Sequence, residues 1–210
     1  MSDSSDLADS VKRLESAAVL VVGDVMLDVL NWASARVNGR AQQAMRKAGV
    51  SEQKYLLATV HRSENTDDPV RLTAILEAFN AIEDEIVFPV HPRTRKVIKE
   101  QGCAVGSNVK LVEPLGYFDM VAMSKAARMI LTDSGGLQKE AYWLGVPCVT
   151  LRDQTEWVET VDSGWNMLAG ADREKIIHAV RHFAPPSNRP VLYGSECVSG
   201  KCVEVIEKYF

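Results

Sequence analysis

The sequence of 210 residues has no long apolar run. A helix that crosses a membrane needs roughly 20 consecutive apolar residues, and the best run here covers only residues 17–22. Residues 1–9 are polar and acidic, whereas a secretory signal starts with basic residues and continues with an apolar stretch. The sequence therefore predicts a cytoplasmic protein without a membrane partner.

The sequence also has no surplus of positive charge. Its 24 Lys and Arg residues are outnumbered by 28 Asp and Glu residues, which gives a formal net charge of −4. A protein that binds a nucleic-acid duplex needs basic residues to neutralise the phosphates. We therefore expect no nucleic-acid partner, and instead a neutral ligand or a small anion held in a local pocket.

Cysteine is scarce, and its spacing excludes the usual metal and disulfide patterns. The four cysteines form no Cys-x-x-Cys pair and no His–Cys cluster, so we expect no zinc site and no other metal site. A chain of this length can build a hydrophobic core without a disulfide framework. Cys148 lies inside the apolar run at residues 146–151 and is predicted to be a core residue.

What the sequence does contain is a repeated alternation of short apolar runs with helical segments. The runs are continuous, as in strands buried on both faces. Strands that alternate with helices at this spacing form a parallel sheet covered on both faces. We therefore expect a Rossmann-like α/β domain over residues 19–210, after a polar leader at residues 1–18. The predicted strands are residues 19–22, 55–60, 86–90, 109–112, 129–131 and 148–151.

Helix starts are also marked in the sequence. Asp68 followed by Pro69 predicts a helix whose N-cap is the aspartate, with proline in its first turn. Asp172 predicts a second such start, and a last helix is expected over residues 201–209. The first of these helices has apolar residues on one face, namely Leu72, Ile75, Leu76, Phe79 and Ile82.

Ligands of open α/β sheets bind at the carboxyl ends of the strands. His61 and His91 each follow an apolar run, and they are about 30 residues apart, the length of one strand–helix–strand unit. We therefore expect both histidines on the same edge of the sheet. Other polar residues in this position are Asp24, Glu113, Asp133, Ser134, Arg152 and Asp153.

The segment Ser134-Gly135-Gly136 marks a turn from a strand into a helix. Backbone N–H groups at a helix start, left uncovered by glycine, form an anion site that suits phosphate. Glu140, further along the same helix, could bind the hydroxyls of a ribose attached to that phosphate. The alternative is a capped turn with a solvated glutamate and no ligand.

Two further strand ends carry charged residues. His61 and Arg62 could hold a diphosphate, and the histidine could transfer a proton near neutral pH; the alternative is a structural histidine. Arg152 and Asp153 could form an internal salt bridge or belong to a loop that faces a substrate. Trp157 and Trp165 are expected to pack rather than to stack on a ligand.

Taken together, these motifs resemble the C-terminal half of the non-hydrolysing UDP-N-acetylglucosamine 2-epimerases in order and spacing. The resemblance runs from about residue 21 to the end of the chain. The segments that carry it are Gly23-Asp24-Val25-Met26, Val60-His61-Arg62-Ser63-Glu64-Asn65-Thr66, Phe88-Pro89-Val90-His91-Pro92, Thr132-Asp133-Ser134-Gly135-Gly136 and Arg152-Asp153-Gln154-Thr155-Glu156.

The resemblance implies a GT-B-like architecture with the active site between two Rossmann-like domains. It also implies interconversion of UDP-N-acetylglucosamine and UDP-N-acetylmannosamine by elimination and re-addition of UDP. Such enzymes use neither a redox cofactor nor an essential metal, so no cofactor is expected.

The family's site residues transfer to individual positions of this sequence. Ser134, with the N–H groups of Gly135 and Gly136, resembles the phosphate contact, and Glu140 resembles the ribose ligand. His61 resembles the catalytic histidine near the diphosphate. The remaining expected contacts, to substrate or to a second, allosteric UDP-sugar, are Arg62, His91 and Arg152.

The resemblance covers the UDP-binding half, and we expect the family's N-terminal domain to lie outside this chain. The expected partners are a UDP-sugar, a separately encoded N-terminal half and, as an oligomer, further copies of the chain. Two other functions stay open: a UDP-sugar-binding or regulatory module without catalysis, and the nucleotide-binding half of a GT-B glycosyltransferase. The exact UDP-sugar also stays open.

Overall fold

The computed structural model describes residues 25–37, 39–193 and 197–209. The chain divides into two compact units. The larger unit is residues 30–192, and the described part of the smaller one is residues 25–29, 193 and 197–209. The predicted leader at residues 1–18 and the predicted strand at residues 19–22 lie outside the described residues.

The larger unit is built on six short strands. They are β1 (Tyr55–Thr59), β2 (Glu85–Pro89), β3 (Val109–Val112), β4 (Met129–Thr132), β5 (Cys148–Thr150) and β6 (Asn166–Leu168). All neighbouring strands pair in parallel, in the order β3-β2-β1-β4-β5-β6. The predicted α/β class with a parallel sheet is thus confirmed.

Helices connect the strands. The described helices are α1 (Val25–Ser34), α2 (Arg40–Ala48), α3 (Ser63–Thr66), α4 (Pro69–Ala81), α5 (Pro92–Glu100), α6 (Tyr117–Ala126), α7 (Gly135–Leu144), α8 (Val158–Asp162), α9 (Arg173–His182) and α10 (Val198–Tyr209). Asp68 caps α4 and Asp172 caps α9, each carboxylate accepting a hydrogen bond from the first turn, as predicted. Helix α10 begins three residues before the predicted start.

The strand order reverses between β1 and β4. The chain moves outward from β1 through β2 to β3, then returns to place β4 on the other side of β1. The connections that follow these two strands diverge, which leaves a crevice above their carboxyl ends. This crevice is the place where an open α/β sheet binds a ligand, so the loops after β1 and β4 decide what it can hold.

The sheet is packed on both faces. One face contributes Leu56 and Phe88, which are fully buried with Phe79 of α4. The other face contributes Leu57 and Ile130. Cys148, predicted as a core residue, is buried there too. Two packed faces hold the strand ends in fixed register, so the residues that follow them are placed precisely relative to one another.

Two features of the sheet differ from the prediction. Strand β6 was not predicted, because Asn166-Met167-Leu168 is too short and too polar to show as an apolar run. The strand pairs through its backbone with β5. The buried side chain of Asn166 accepts a hydrogen bond from the Thr150 hydroxyl. Strand β3 is an edge strand that is only partly buried, not buried on both faces.

In the described part of the smaller unit, a polar contact joins two segments that are far apart in the sequence. The carboxylate of Asp28 accepts hydrogen bonds from the backbone N–H groups of Cys197, Val198 and Ser199, and from the Ser199 hydroxyl. These bonds, led by the one from the Ser199 side chain, lower the pKa of Asp28. Asp28 therefore caps the N-terminus of α10 from a distant part of the sequence.

Candidate functional site

The turn after β4 is where the anion site is predicted. Ser134 is the N-cap of α7, and its Oγ accepts a long hydrogen bond, 3.5 Å, from the N–H of Leu137. The Ser134 N–H donates to Oγ1 of Thr132 at 2.9 Å, which fixes the turn. The N–H groups of Gly135 and Gly136 lie in the first turn of the helix, where no helical carbonyl can accept from them. They are therefore available to an anion.

The loop after β1 is tied to the loop after β4 by one buried carboxylate. Asp133 is fully buried and accepts hydrogen bonds from the N–H of His61 at 3.0 and 3.1 Å and from the N–H of Arg62 at 2.9 Å. One of its oxygens also lies 3.6 Å from Nδ1 of His61. Asp133 thus holds the backbone of both predicted site residues beside the helix start.

Asn65 extends this arrangement to the end of β5. Its amide donates to Asp133 at 3.1 Å and to the carbonyl of Leu151 at 2.9 Å. Its Oδ1 accepts from Nε of Arg71 at 3.1 Å. The buried Asn65 therefore connects three strand ends, and the loop that carries His61 and Arg62 has a single supported conformation.

His61 and His91 lie on the same edge of the sheet, as predicted. Both line a cavity of about 160 Å³, whose other walls include Pro89, Leu115 and Met120. Nδ1 of His91 accepts a hydrogen bond from the N–H of Arg93, so this histidine also caps α5. The cavity is mainly apolar with histidines at its rim, which suits part of a nucleotide sugar better than a free ion.

Arg152 and Asp153 do not pair with each other. The guanidinium of Arg152 is nearly buried and holds the Glu156 carboxylate through two hydrogen bonds of 2.8 and 3.0 Å. The hydrogen bond from Arg152 lowers the pKa of Glu156. Asp153 instead accepts from Arg71 at 2.9 Å. Of the two alternatives for these residues, the internal salt bridge is therefore not formed, because each side chain has a different partner.

Glu140 lies half-buried on α7, and its carboxylate is already engaged. The hydroxyl of Tyr117, the first residue of α6, donates to Oε1 of Glu140 at 3.0 Å. Burial raises the pKa of Glu140, and this hydrogen bond opposes the rise. The solvated glutamate of the alternative interpretation is thus not what the structure contains.

Trp157 packs against the start of α7. Its indole N–H donates to the carbonyl of Gly135 at 2.8 Å, and its ring lies 3.9 Å from the ammonium of Lys139. Trp165 packs edge-on against Tyr142. The contact with Gly135 places Trp157 beside the anion site, where it fixes the first turn of the helix.

A methyl group at Gly135 tests whether this turn binds an anion. A Cβ there would lie 3.4 Å from Oε2 of Glu156 and from Nε1 of Trp157, which is ordinary contact, and 3.8 Å from Nη2 of Arg62. We expect Gly135→Ala to change the free energy of unfolding by less than about 1 kcal/mol. It should weaken UDP binding about tenfold, because the methyl narrows the approach to the free N–H groups. Isothermal titration and a thermal melt check both parts, and unchanged UDP affinity would contradict the anion site.

The structure brings together some of the predicted residues but not all. His61, Arg62, Ser134 and Gly135 surround the crevice between β1 and β4, whereas Nη1 of Arg152 is held by the Glu156 carboxylate. Asn65 and Tyr117 were not predicted as site residues, and Asp133 was predicted only as one of the polar residues at a strand end, without a role. The position of Asp133 directly after a strand was a signal for it, but nothing in the sequence connects Tyr117 with Glu140.

Among the described residues, no group of three or more His, Cys, Asp or Glu side chains is arranged to hold a metal ion. In that same part of the chain, no helix is long and apolar enough to cross a membrane.

The chain is similar to known proteins over most of its length. Residues 9–207 match the family model described as UDP-N-acetylglucosamine 2-epimerase. A UDP-N-acetylglucosamine 2-epimerase homolog of Methanococcus maripaludis is 44% identical over 196 residues, which are 91% of this chain and 55% of that protein. The UDP-2,3-diacetamido-2,3-dideoxy-D-glucuronate 2-epimerase of Pseudomonas aeruginosa is 42% identical, over 92% of this chain and 54% of that protein.

A solved structure has the same fold. The UDP-GlcNAc 2-epimerase of Methanocaldococcus jannaschii in complex with UDP-GlcNAc and UDP superposes with a TM-score of 0.81 at 33% identity, over 89% of this chain and 54% of that one. The chain thus spans about half the length of the relatives that it matches. On the matched residues and the shared fold, the chain belongs to the UDP-N-acetylglucosamine 2-epimerase family.

Proposed function

We propose that this chain supplies the UDP-binding half of an enzyme that inverts C2 of UDP-N-acetylglucosamine. The observation that carries the proposal is the crevice between β1 and β4. There, the uncovered helix start at Gly135 faces a loop whose His61 and Arg62 backbones are fixed by Asp133. A helix N-terminus beside an arginine and a histidine suits the two negative charges of a diphosphate.

The proposed reaction removes the proton on C2 of the sugar and breaks the bond between C1 and the diphosphate oxygen. The electron pair of the C2–H bond forms the C1–C2 double bond, and UDP leaves with the electrons of the C1–O bond. UDP then adds back to C1 while C2 takes a proton from the opposite face. Both steps are redox-neutral, so the reaction needs no redox cofactor.

In this scheme the described residues act on the leaving group. The N–H groups of Gly135 and Gly136, with the Ser134 hydroxyl, stabilise the charge that develops on the diphosphate. His61, fixed through its backbone by Asp133, is placed to donate a hydrogen bond or a proton to the same group. Glu140 holds the ribose. Arg152, with its guanidinium engaged, acts by holding Glu156 and Glu64 in place.

The 210-residue chain tested by itself should bind UDP weakly and should not form UDP-N-acetylmannosamine. A half-site stabilises the leaving group but cannot enclose the sugar or hold the base that removes the C2 proton. Isothermal titration measures UDP binding, and NMR of the sugar protons after incubation with UDP-N-acetylglucosamine measures turnover. Epimerisation by the pure chain would contradict the half-site assignment.

Addition of a candidate polypeptide that carries the family's other half distinguishes the alternatives. Restored epimerisation supports the proposal, UDP binding without turnover supports a regulatory module, and release of UDP only in the presence of an acceptor supports a glycosyltransferase.

The expected homo-oligomer is tested by light scattering, which measures the molar mass at a series of chain concentrations. Four free cysteines fit the proposed cytoplasmic location, where thiols stay reduced.

A second substrate is favoured by one observation. The relative from Pseudomonas aeruginosa named for a 2,3-diacetamido uronic acid is 42% identical to this chain, nearly as similar as the homolog from Methanococcus maripaludis at 44%. The described site binds the nucleotide part, which both sugars share. Parallel turnover assays with the two UDP-sugars, in the presence of the complementary half, decide between them.

A further inference from the structure

We propose that Tyr117 is a positioning residue that presents the Glu140 carboxylate to the ribose of UDP. The inference rests on the proposed function, because it concerns the same nucleotide site. Tyr117 is the first residue of α6, and Glu140 lies on α7, so the two side chains meet from different helices.

The geometry leaves half of the carboxylate for a ligand. The Tyr117 hydroxyl donates a hydrogen bond to Oε1 of Glu140 at 3.0 Å. Among the described residues, this is the one hydrogen bond made to the Glu140 side chain. Oε2 is left for a ribose hydroxyl. Tyr117 is 41% exposed, and its ring centroid lies 6.4 Å from that of Phe118, so the phenol packs beside an aromatic ring while part of the residue stays in contact with solvent.

The contact also favours the charged form of the Glu140 carboxylate. A half-buried glutamate is partly desolvated, which raises the pKa of Glu140, and the hydrogen bond from Tyr117 acts against this rise. Burial, and after it the charge of Glu140 and the hydrogen bond between the two side chains, raise the pKa of Tyr117, so the phenol remains a donor at neutral pH. Among the described residues of α6, which packs against α7, Tyr117 is the titratable group that contacts Glu140.

A double-mutant cycle on the full 210-residue chain tests the inference. Tyr117→Phe keeps the ring and removes only the hydroxyl, so we expect UDP binding to weaken about threefold to tenfold at neutral pH. In the Glu140→Ala background the same change should have no further effect, because no side-chain acceptor is left to position. Binding of inorganic diphosphate should be equal in all four proteins.

The pH profile gives a readout that a purely structural role would not change. UDP binding through Glu140 is lost as the pH falls through the pKa of this carboxyl. Removal of the Tyr117 hydroxyl raises that pKa further, so the loss in Tyr117→Phe should begin at a higher pH than in the wild type. Glu140→Gln is the control, since the pH dependence of its UDP binding contains only the titration of the UDP phosphate and of the other titratable groups of the protein.

The outcomes separate the two proposals. Equal weakening by Tyr117→Phe in both backgrounds, or an unshifted pH profile, overturns the positioning role while Glu140 remains a ribose ligand. Wild-type UDP affinity in Glu140→Ala overturns the ribose contact of the proposed function. A wild-type chain that binds no UDP overturns both.

Discussion

Replacing Asp133 by alanine should lower the free energy of unfolding by about 3 kcal/mol and disorganise the crevice between β1 and β4. The carboxylate is fully buried and accepts hydrogen bonds from the N–H groups of His61 and Arg62 and from the Asn65 amide. Alanine leaves these donors without an acceptor in a place that is largely closed to water. Denaturant unfolding followed by circular dichroism measures the loss.

Two variants make the test specific. Asp133→Asn keeps the volume and one acceptor oxygen but removes the charge, so its loss of stability should be smaller than that of Asp133→Ala. Asp162→Ala is the control, because it removes an exposed carboxylate at the end of α8. Its free energy of unfolding should equal that of the wild type within about 0.5 kcal/mol. If Asp133→Ala also unfolded like the wild type, the loops after β1 and β4 would not depend on this residue.

Replacing Glu140 by alanine should weaken UDP binding about tenfold or more, while binding of inorganic diphosphate stays nearly unchanged. In the proposed function Glu140 binds the ribose, which diphosphate lacks. Ser134→Ala should weaken both ligands, because its hydroxyl and the neighbouring N–H groups bind the part that the two ligands share. Isothermal titration of both ligands against both variants measures the difference.

Thermal melts of the same variants separate binding from folding. The hydrogen bond from Leu137 to Ser134 is long, 3.5 Å, so loss of this cap should lower stability by less than about 1 kcal/mol. A capped turn without a ligand would show the opposite pattern: Ser134→Ala would melt earlier, and its UDP affinity would equal that of the wild type.

The local features of the fold could be read directly from the sequence. Asp68 and Asp172 start helices because a short carboxylate satisfies the N–H groups of a first turn, which depends only on neighbouring residues. The strands β1 to β5 were predicted within one residue at each end from their continuous apolar runs, which are typical of strands buried on both faces, although the edge strand β3 is only partly buried. Strand β6 was not predicted because it contains the polar residue Asn166. The burial of this side chain is favourable only because Thr150 on the neighbouring strand forms a hydrogen bond with it.

The site divides in the same way. The sequence determined that His61 and His91 share an edge, since one strand–helix–strand unit separates them, and that Ser134 caps a helix behind a strand. Only the tertiary structure decided that the loops after β1 and β4 are joined by Asp133, that Arg152 is held by Glu156 and not by Asp153, and that Tyr117 reaches Glu140. Such contacts depend on which strands and helices become neighbours, and the packing of the whole sheet fixes that order, whereas caps and apolar runs follow from residues that are adjacent in the chain.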